Sequence, residues 1–94
     1  MKLVFEWDEN KADTNLRKHG ISFLEALTVF QDESSLTFSD YSHSEDEERY
    51  IDIGRSSKGQ ILLVVYTERA NNIRIISCRK ATAAERQTYE TQND

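Results

Sequence analysis

Hydrophobic and polar positions alternate along the chain with periods that identify its strands and helices. In residues 2–7 the large apolar side chains occupy every second position, which predicts a short strand. Asp8 then stands where a helix N-cap is expected, and the helix that it opens ends at His19. Gly20 follows in the position that commonly adopts a left-handed backbone, so this helix has a predicted start and a predicted end.

Two further helices are indicated by the spacing of a capping box, a Ser or Thr followed three residues later by Glu. Ser22 and Glu25 form the first box, and apolar residues after it recur at i, i+3, i+4 and i+7, as in an amphipathic helix. Thr82 and Glu85 form the second box and open a final helix that continues through Tyr89. The chain therefore has two predicted helices near its start and one near its end.

Between these helices the pattern changes to that of strands. Four segments alternate or are apolar throughout and are bounded by turn or loop residues: 36–39, 49–55, 61–67 and 73–79. Residues 61–67 are apolar on both faces, so we expect this strand near the centre of the sheet, whereas residues 40–48 form an acidic loop. The predicted order is β-α-α-β-β-β-β-α, an α+β fold with an antiparallel sheet and segregated helices, in a single domain of residues 1–94.

Length, cysteine content and hydropathy narrow the class of protein. The chain has 94 residues, 31% of them charged, which is typical of one small soluble domain. Its one cysteine, Cys78, forms no internal disulfide and fits a reducing cytoplasm. The longest apolar stretch, residues 61–66, is far shorter than the roughly 20 residues that span a membrane. The N-terminus becomes acidic too early for a signal peptide, so we expect a cytoplasmic protein without membrane association.

The net charge of −5 hides an uneven distribution of charge. Residues 1–54 carry five Lys and Arg against thirteen Asp and Glu, a balance of −8. Residues 55–86 carry seven Lys and Arg against two Glu, a balance of +5. Separate acidic and basic regions indicate one face for a polyanion and another for a basic partner, although charges on a small domain also cluster by chance.

Three long motifs together cover most of the chain. They are FEWDENKADTNLRKHGISFLEA at residues 5–26, HSEDEERYIDIGRSSKG at 43–59 and VVYTERANNIRIISCRKATAAERQTY at 64–89. In order and spacing these motifs resemble the BrnT family of bacterial type II toxins. Ala70 stands where that family commonly has glycine and Cys78 where it commonly has alanine, and neither change removes a polar group. The resemblance implies a ribonuclease with a RelE-like fold whose partner is a BrnA antitoxin.

The resemblance also implies RNA cleavage without a metal or other cofactor, by attack of the 2′-hydroxyl on the adjacent phosphate. Such a reaction needs cations around the phosphorane, a base for the hydroxyl and an acid for the departing 5′-oxygen. Arg79 and Lys80 at one strand end and Arg55 at another are candidates for the cations, beside the N-terminus of the last helix. Tyr89 is a candidate for base stacking or proton donation, and His19 for the general base. The expected RNA-binding residues are Lys58, Arg69, Arg74 and Arg86.

Each candidate also has a plainer interpretation. Arg79 and Lys80 are then ordinary exposed charges at the end of a strand, and Arg86 pairs with Glu90 one helical turn later. Tyr89 is then a core contact of the last helix. His19 is favoured near a helix C-terminus by the helix dipole alone.

Alternatives exist for the acidic loop and for the protein as a whole. His43, Glu45 and Glu47 are spaced to ligate a metal, but alternate spacing in a loop favours a solvated segment. A role for His43 as a proton carrier beside Arg49 is a further alternative. A non-catalytic adaptor on the same fold is the second hypothesis for function. A DNA-binding module is a weaker third, because no predicted helix has a basic recognition face. The resemblance further implies that two toxins are bridged by an antitoxin dimer, with RNA as the substrate.

Overall fold

The computed structural model describes residues 3–40 and 47–93. Its elements in chain order are β1 (Val4–Glu6), α1 (Glu9–His19), α2 (Phe23–Leu27), a 3₁₀ turn (Thr28–Gln31), β2 (Leu36–Ser39), β3 (Arg49–Arg55), β4 (Ile61–Arg69), β5 (Asn72–Lys80) and α3 (Ala83–Gln92). Within these ranges no helix has the length and apolar character that crossing a membrane requires. The predicted α+β class is confirmed.

All five strands belong to one sheet with the order β1-β5-β4-β3-β2. Strands β2 to β5 pair antiparallel with their neighbours, whereas β1 lies parallel to β5, with Phe5 opposite Ile73. The sheet is therefore mixed, and the prediction of an antiparallel sheet is wrong for β1. The chain crosses from β1 at one edge to β2 at the other through α1 and α2, so no hairpin sets the direction of β1. Alternation of side chains is the same in parallel and antiparallel strands and carries no information on direction.

Both faces of the sheet carry a hydrophobic core. The core beneath α2 and the 3₁₀ turn contains Ile21, Phe23, Ala26, Val29, Leu62, Val64, Tyr66, Ile73, Ile75 and Cys78. The core beneath α3 contains Ile53, Ile61, Leu63, Ala81 and Tyr89. Strand β4 lies between β3 and β5 and supplies alternate residues to both cores, so the prediction of a central strand that is apolar on both faces is confirmed.

The caps of α1 and α3 follow the sequence patterns. The Asp8 side chain accepts hydrogen bonds from two backbone N–H groups of the first turn of α1, and Gly20 ends that helix with a φ of 72°. In α3 the capping box is complete, because the Thr82 hydroxyl accepts from the Glu85 N–H and the Glu85 carboxylate accepts from the Thr82 N–H. These local contacts set the ends of both helices in the way that their residue types favour.

The predicted capping box of α2 is only half formed. Ser22 accepts a hydrogen bond from the Glu25 N–H, but the Glu25 carboxylate turns into the protein. There its Oε2 accepts hydrogen bonds from Ser56 Oγ at 2.6 Å and from Gln60 Nε2 at 2.8 Å. Glu25 is buried away from water, so these two donors supply the hydrogen bonds that its carboxylate oxygen would otherwise lack. A tertiary contact thus replaces the local one and ties the β3–β4 turn to α2.

Gly54 lies in β3 where the strand passes close to the 3₁₀ turn. A Cβ at this position would stand 2.9 Å from Val29 Cγ1 and 2.9 Å from Ser35 Cβ, closer than ordinary van der Waals contact. We expect Gly54→Ala to lower the free energy of unfolding by roughly 1–3 kcal/mol, because the core must shift to admit a methyl group. Urea denaturation measures this change. Gln87→Ala, on the exposed side of α3, is the matched control and should stay within about 0.5 kcal/mol of wild type. Equal stability of Gly54→Ala and wild type would contradict the close approach.

Candidate active site

Three cations meet where β3 and β5 end and β4 begins. Arg55 is the last residue of β3 and Lys80 the last of β5, and both strands run antiparallel to β4, so their ends lie at the same edge of the sheet. Arg86 reaches this edge from α3. Together they line a depression of about 390 Å³, called here the basic depression, whose other lining residues are Gly59, Gln60, Ile61 and Glu90. Two of the candidate cations, Arg55 and Lys80, thus line the same depression, and Arg86 joins them.

Asp32, which follows the 3₁₀ turn, holds the wall of the basic depression in place. Its Oδ2 accepts hydrogen bonds from the Arg55 backbone N–H at 2.8 Å and from the Tyr89 hydroxyl at 2.6 Å. Its Oδ1 accepts from the Ser34 N–H at 2.9 Å. Burial acts to raise the pKa of Asp32, but these hydrogen bonds outweigh it, so the pKa lies below its ordinary value and the group is an anion. Asp32 is not among the residues predicted for the site, because no local sequence pattern connects it with β3 or α3.

Tyr89 has the position of a core residue. Its side chain is buried in the core beneath α3, and the residue is only 5% exposed, so the ring is not presented for stacking on a base. The pKa of Tyr89 is raised, first by burial and then by its hydrogen bond to Asp32, which makes it a poorer proton donor. The structure thus agrees with the plainer interpretation of Tyr89. The residue anchors α3 and does not line the basic depression.

Arg79 lies beside the basic depression and is already paired. Its guanidinium makes two parallel contacts with the Glu85 carboxylate, at 2.8 and 3.0 Å. The hydrogen bond to Arg79 is the main cause that lowers the pKa of Glu85 to about 2. The same carboxylate caps the first turn of α3, at the place where free N–H groups for a phosphate were expected. Arg79 therefore joins the end of β5 to the start of α3, and it is not among the residues that line the basic depression.

His19, the candidate general base, lies elsewhere. It lines a groove of about 310 Å³ between α1 and β5, together with Lys11, Lys18 and Ser77, among others. This groove shares no lining residue with the basic depression. The structure therefore does not bring His19 together with the three cations.

The remaining predicted RNA-binding residues are dispersed. Arg69 and Arg74 line a third depression, near the ends of β4 and β5 that lie away from the basic depression. Glu47 lines it as well and forms an ion pair with Arg69. Eight residue steps of β4 separate Arg69 from Ile61, which is about 26 Å at the usual rise of a strand. The exposed Lys58 amino group lies 4.0 Å from a Glu25 oxygen. The cations of residues 55–86, the segment with a charge balance of +5, are thus divided among several surfaces.

Two members of the alternative metal site, His43 and Glu45, lie outside the described residues. Glu47, the third member of that set, is described and pairs with Arg69. Among residues 3–40 and 47–93, no three His, Cys, Asp or Glu side chains cluster so that they could hold a metal ion.

Comparison with known proteins identifies the family. Residues 7–85 match the family described as ribonuclease toxin, BrnT, of type II toxin–antitoxin system. The chain belongs to the BrnT family. It is similar to the 1.1 Å crystal structure of the Brucella abortus ribonuclease toxin BrnT, with a TM-score of 0.62 and 27% sequence identity. That similarity covers 87% of this chain and 97% of the Brucella chain. No curated protein sequence matches the chain.

Membership of the BrnT family confirms the resemblance found in the motifs and places the chain in a family of ribonuclease toxins of type II toxin–antitoxin systems. The matched segment contains Arg55, Arg79, Lys80 and Glu85. It ends before Arg86 and the rest of α3. One wall of the basic depression in this BrnT chain is therefore built by residues beyond the family match.

The Arg79–Glu85 ion pair gives a test of how α3 is attached in this BrnT chain. Glu85→Gln keeps a side-chain oxygen for the capping box but removes the charge. Because the folded-state pKa of Glu85 is about 2, against an ordinary 4.5, the ion pair stabilises the fold above about pH 4.5 and is lost as the pH falls toward 2. We expect wild type to be more stable than Glu85→Gln by roughly 1–2 kcal/mol near neutral pH, since the pair is partly exposed. Urea denaturation across this pH range should show the difference shrinking with acid.

The control for this experiment is Glu68→Gln, an exposed carboxylate on β4. Its substitution should produce no comparable difference between neutral and acid pH. A stability difference for Glu85→Gln that stays constant from about pH 7 to about pH 3 would show that the ion pair is not its cause.

Proposed function

We propose that this chain is an endoribonuclease that cleaves RNA by attack of a 2′-hydroxyl on the adjacent phosphate, and that the basic depression binds that phosphate. The observation that carries the proposal is the convergence of Arg55, Lys80 and Arg86 at one edge of the sheet. Within the described ranges none of these three cations forms an ion pair, whereas Lys58, Arg69 and Arg79 each lie within 4.0 Å of a carboxylate oxygen. Membership of a ribonuclease toxin family supports the reaction class.

The three cations suit the charge that develops during this reaction. Attack of the 2′-oxygen places additional negative charge on the phosphate oxygens, and planar guanidinium groups bind such oxygens in pairs. Arg55 and Arg86 take this role in the proposal, and the Lys80 ammonium is assigned the role of stabilising or protonating the departing 5′-oxygen. Arg79 contributes by holding the start of α3, and therefore Arg86, against β5. No metal ion is needed for these steps.

The proposal includes inhibition of translation in the cytoplasm and neutralisation by a BrnA-like, DNA-binding antitoxin in a complex of two toxins and two antitoxins. The family is defined by a type II toxin–antitoxin system, so an antitoxin partner belongs to its biology. The charge balance of −8 in the sequence of residues 1–54 supports a partner with a basic segment.

The reaction class is tested by cleavage of RNA with the purified chain in the presence and absence of EDTA. We expect equal rates in both conditions, and products that carry a 2′,3′-cyclic phosphate and a 5′-hydroxyl, because the attacking oxygen comes from the RNA itself. Mass spectrometry of the products identifies these ends. Activity that EDTA abolishes and a divalent ion restores would move the chemistry to a metal site. Intact RNA in every condition would favour the adaptor hypothesis.

The location of the phosphate site is tested by the salt dependence of RNA binding. For single strands the slope of log affinity against log salt falls by roughly 0.7 for each phosphate contact that is lost. We expect Arg55→Ala and Lys80→Ala each to reduce the slope by about this amount, measured with a 2′-deoxy analogue that resists cleavage. Arg74→Ala, at the far end of β5, is the matched control and should leave the slope unchanged. The reverse pattern would place the RNA at the far end of the sheet.

A further inference from the structure

Glu90 is the one carboxylate among the residues that line the basic depression in the described part of the chain. It lies on α3 one turn after Arg86 and is exposed. The alternative that Glu90 pairs with Arg86 is not realised, since no ion pair between them is present among the described residues. An acidic group that faces three cations without being paired to them is a candidate for chemistry at the phosphate that they hold.

The backbone of α3 is fixed on both sides of Glu90. Before it, Tyr89 is buried, and its hydroxyl donates a hydrogen bond to Asp32 Oδ2 at 2.6 Å. After it, the Asn93 amide donates to the Ser34 carbonyl at 3.1 Å and to the Tyr89 carbonyl at 2.8 Å. These contacts hold the last turn of the helix to the segment before β2. Glu90 therefore projects from a rigid position at the rim of the basic depression, as general acid–base catalysis requires of a participating group.

We propose that Glu90 is the general base of the reaction, an assignment that rests on the proposed function. Its carboxylate takes the proton of the 2′-hydroxyl while the 2′-oxygen forms a bond to phosphorus. The bond from phosphorus to the 5′-oxygen breaks, and that oxygen receives a proton from water or from Lys80, which then takes a proton back from solvent. The products are a 2′,3′-cyclic phosphate and a 5′-hydroxyl, and protonated Glu90 returns its proton to solvent, so that no oxidant or metal takes part.

The other titratable groups considered for this step are less well placed. His19 lines a groove that shares no residue with the basic depression. Tyr89 is buried and its hydroxyl is engaged with Asp32. Asp32 itself already accepts hydrogen bonds at both carboxylate oxygens, which favours its anion but leaves it poorly disposed to take a further proton. Glu90 alone among these four lies on the surface where the phosphate is proposed to bind.

The role of Glu90 predicts opposite effects on binding and on turnover. Near a bound phosphate a carboxylate repels the RNA, so Glu90→Gln should bind a 2′-deoxy RNA analogue as tightly as wild type or more tightly. The same variant should lose about 10²- to 10⁴-fold in the single-turnover rate of RNA cleavage, because the amide does not accept the proton. Arg55→Ala, in contrast, should weaken both binding and cleavage.

The experiment compares wild type, Glu90→Gln, Glu90→Asp and the control Glu68→Gln, each shown to be folded by its thermal midpoint. Glu68 is an exposed carboxylate near the end of β4 that lies away from the basic depression. The Glu68→Gln variant should therefore cleave RNA at the wild-type rate. Partial activity of Glu90→Asp, with affinity retained by Glu90→Gln, supports the assignment. Cleavage by folded Glu90→Gln at the wild-type rate overturns it, as does a loss of binding that equals the loss of rate. Absence of cleavage by wild type overturns the proposed function and this assignment with it.

Discussion

The carboxylate of Asp32 connects the elements that surround the basic depression. One of its oxygens accepts hydrogen bonds from the end of β3 and from Tyr89 of α3, and the other accepts from the chain before β2. The helix needs such an anchor, because it has ten residues and an isolated helix of that length is marginal in water. Tyr89 is the buried residue that α3 contributes to the core beneath it. Without Asp32 that hydroxyl would lose its partner, and the helix that carries Arg86 and Glu90 would keep only its other attachments, the Arg79–Glu85 ion pair and the hydrogen bond from Asn93 to Ser34.

Pairing of charges decides which cations are available to an anion. The segment from residue 55 to residue 86 is strongly basic, yet Arg79 is held by Glu85 and Arg69 by Glu47. An incoming phosphate must compete with these carboxylates, which already supply the geometry that a guanidinium prefers. Arg55, Lys80 and Arg86 have no such competitor within 4.0 Å among the described residues. Part of the local excess of positive charge is therefore held in structural ion pairs, whereas the three cations of the basic depression have no such partner among the described residues.

The Glu25 and Glu85 carboxylates show how the same sequence pattern leads to different contacts. Both stand three residues after a Ser or Thr cap, and only Glu85 completes the capping box. Glu25 faces the protein interior, where Ser56 and Gln60 offer donors that a buried carboxylate requires. Through Gln60 this contact reaches the basic depression, so a residue of the second helix supports the turn beside the proposed phosphate site. The local rule specifies the start of each helix, and burial decides where the glutamate side chain goes.

The sequence by itself determined the α+β class, the central position of β4, the caps of α1 and α3, and membership of the BrnT family, because these depend on local residue types, periodicity and motif order. It also identified Arg55 and Lys80 as residues at the ends of strands, whereas the order of the sheet, with β4 between β3 and β5, puts both ends at one edge. Only the tertiary structure decided the parallel direction of β1, the pairing of Arg79 with Glu85 and the burial of Tyr89 against Asp32. It alone separated His19, Arg69 and Arg74 from the basic depression and placed Glu90 within it. Alternation and capping patterns act over a few residues, whereas these contacts depend on how α3 crosses the sheet and on which carboxylates reach which cations across it.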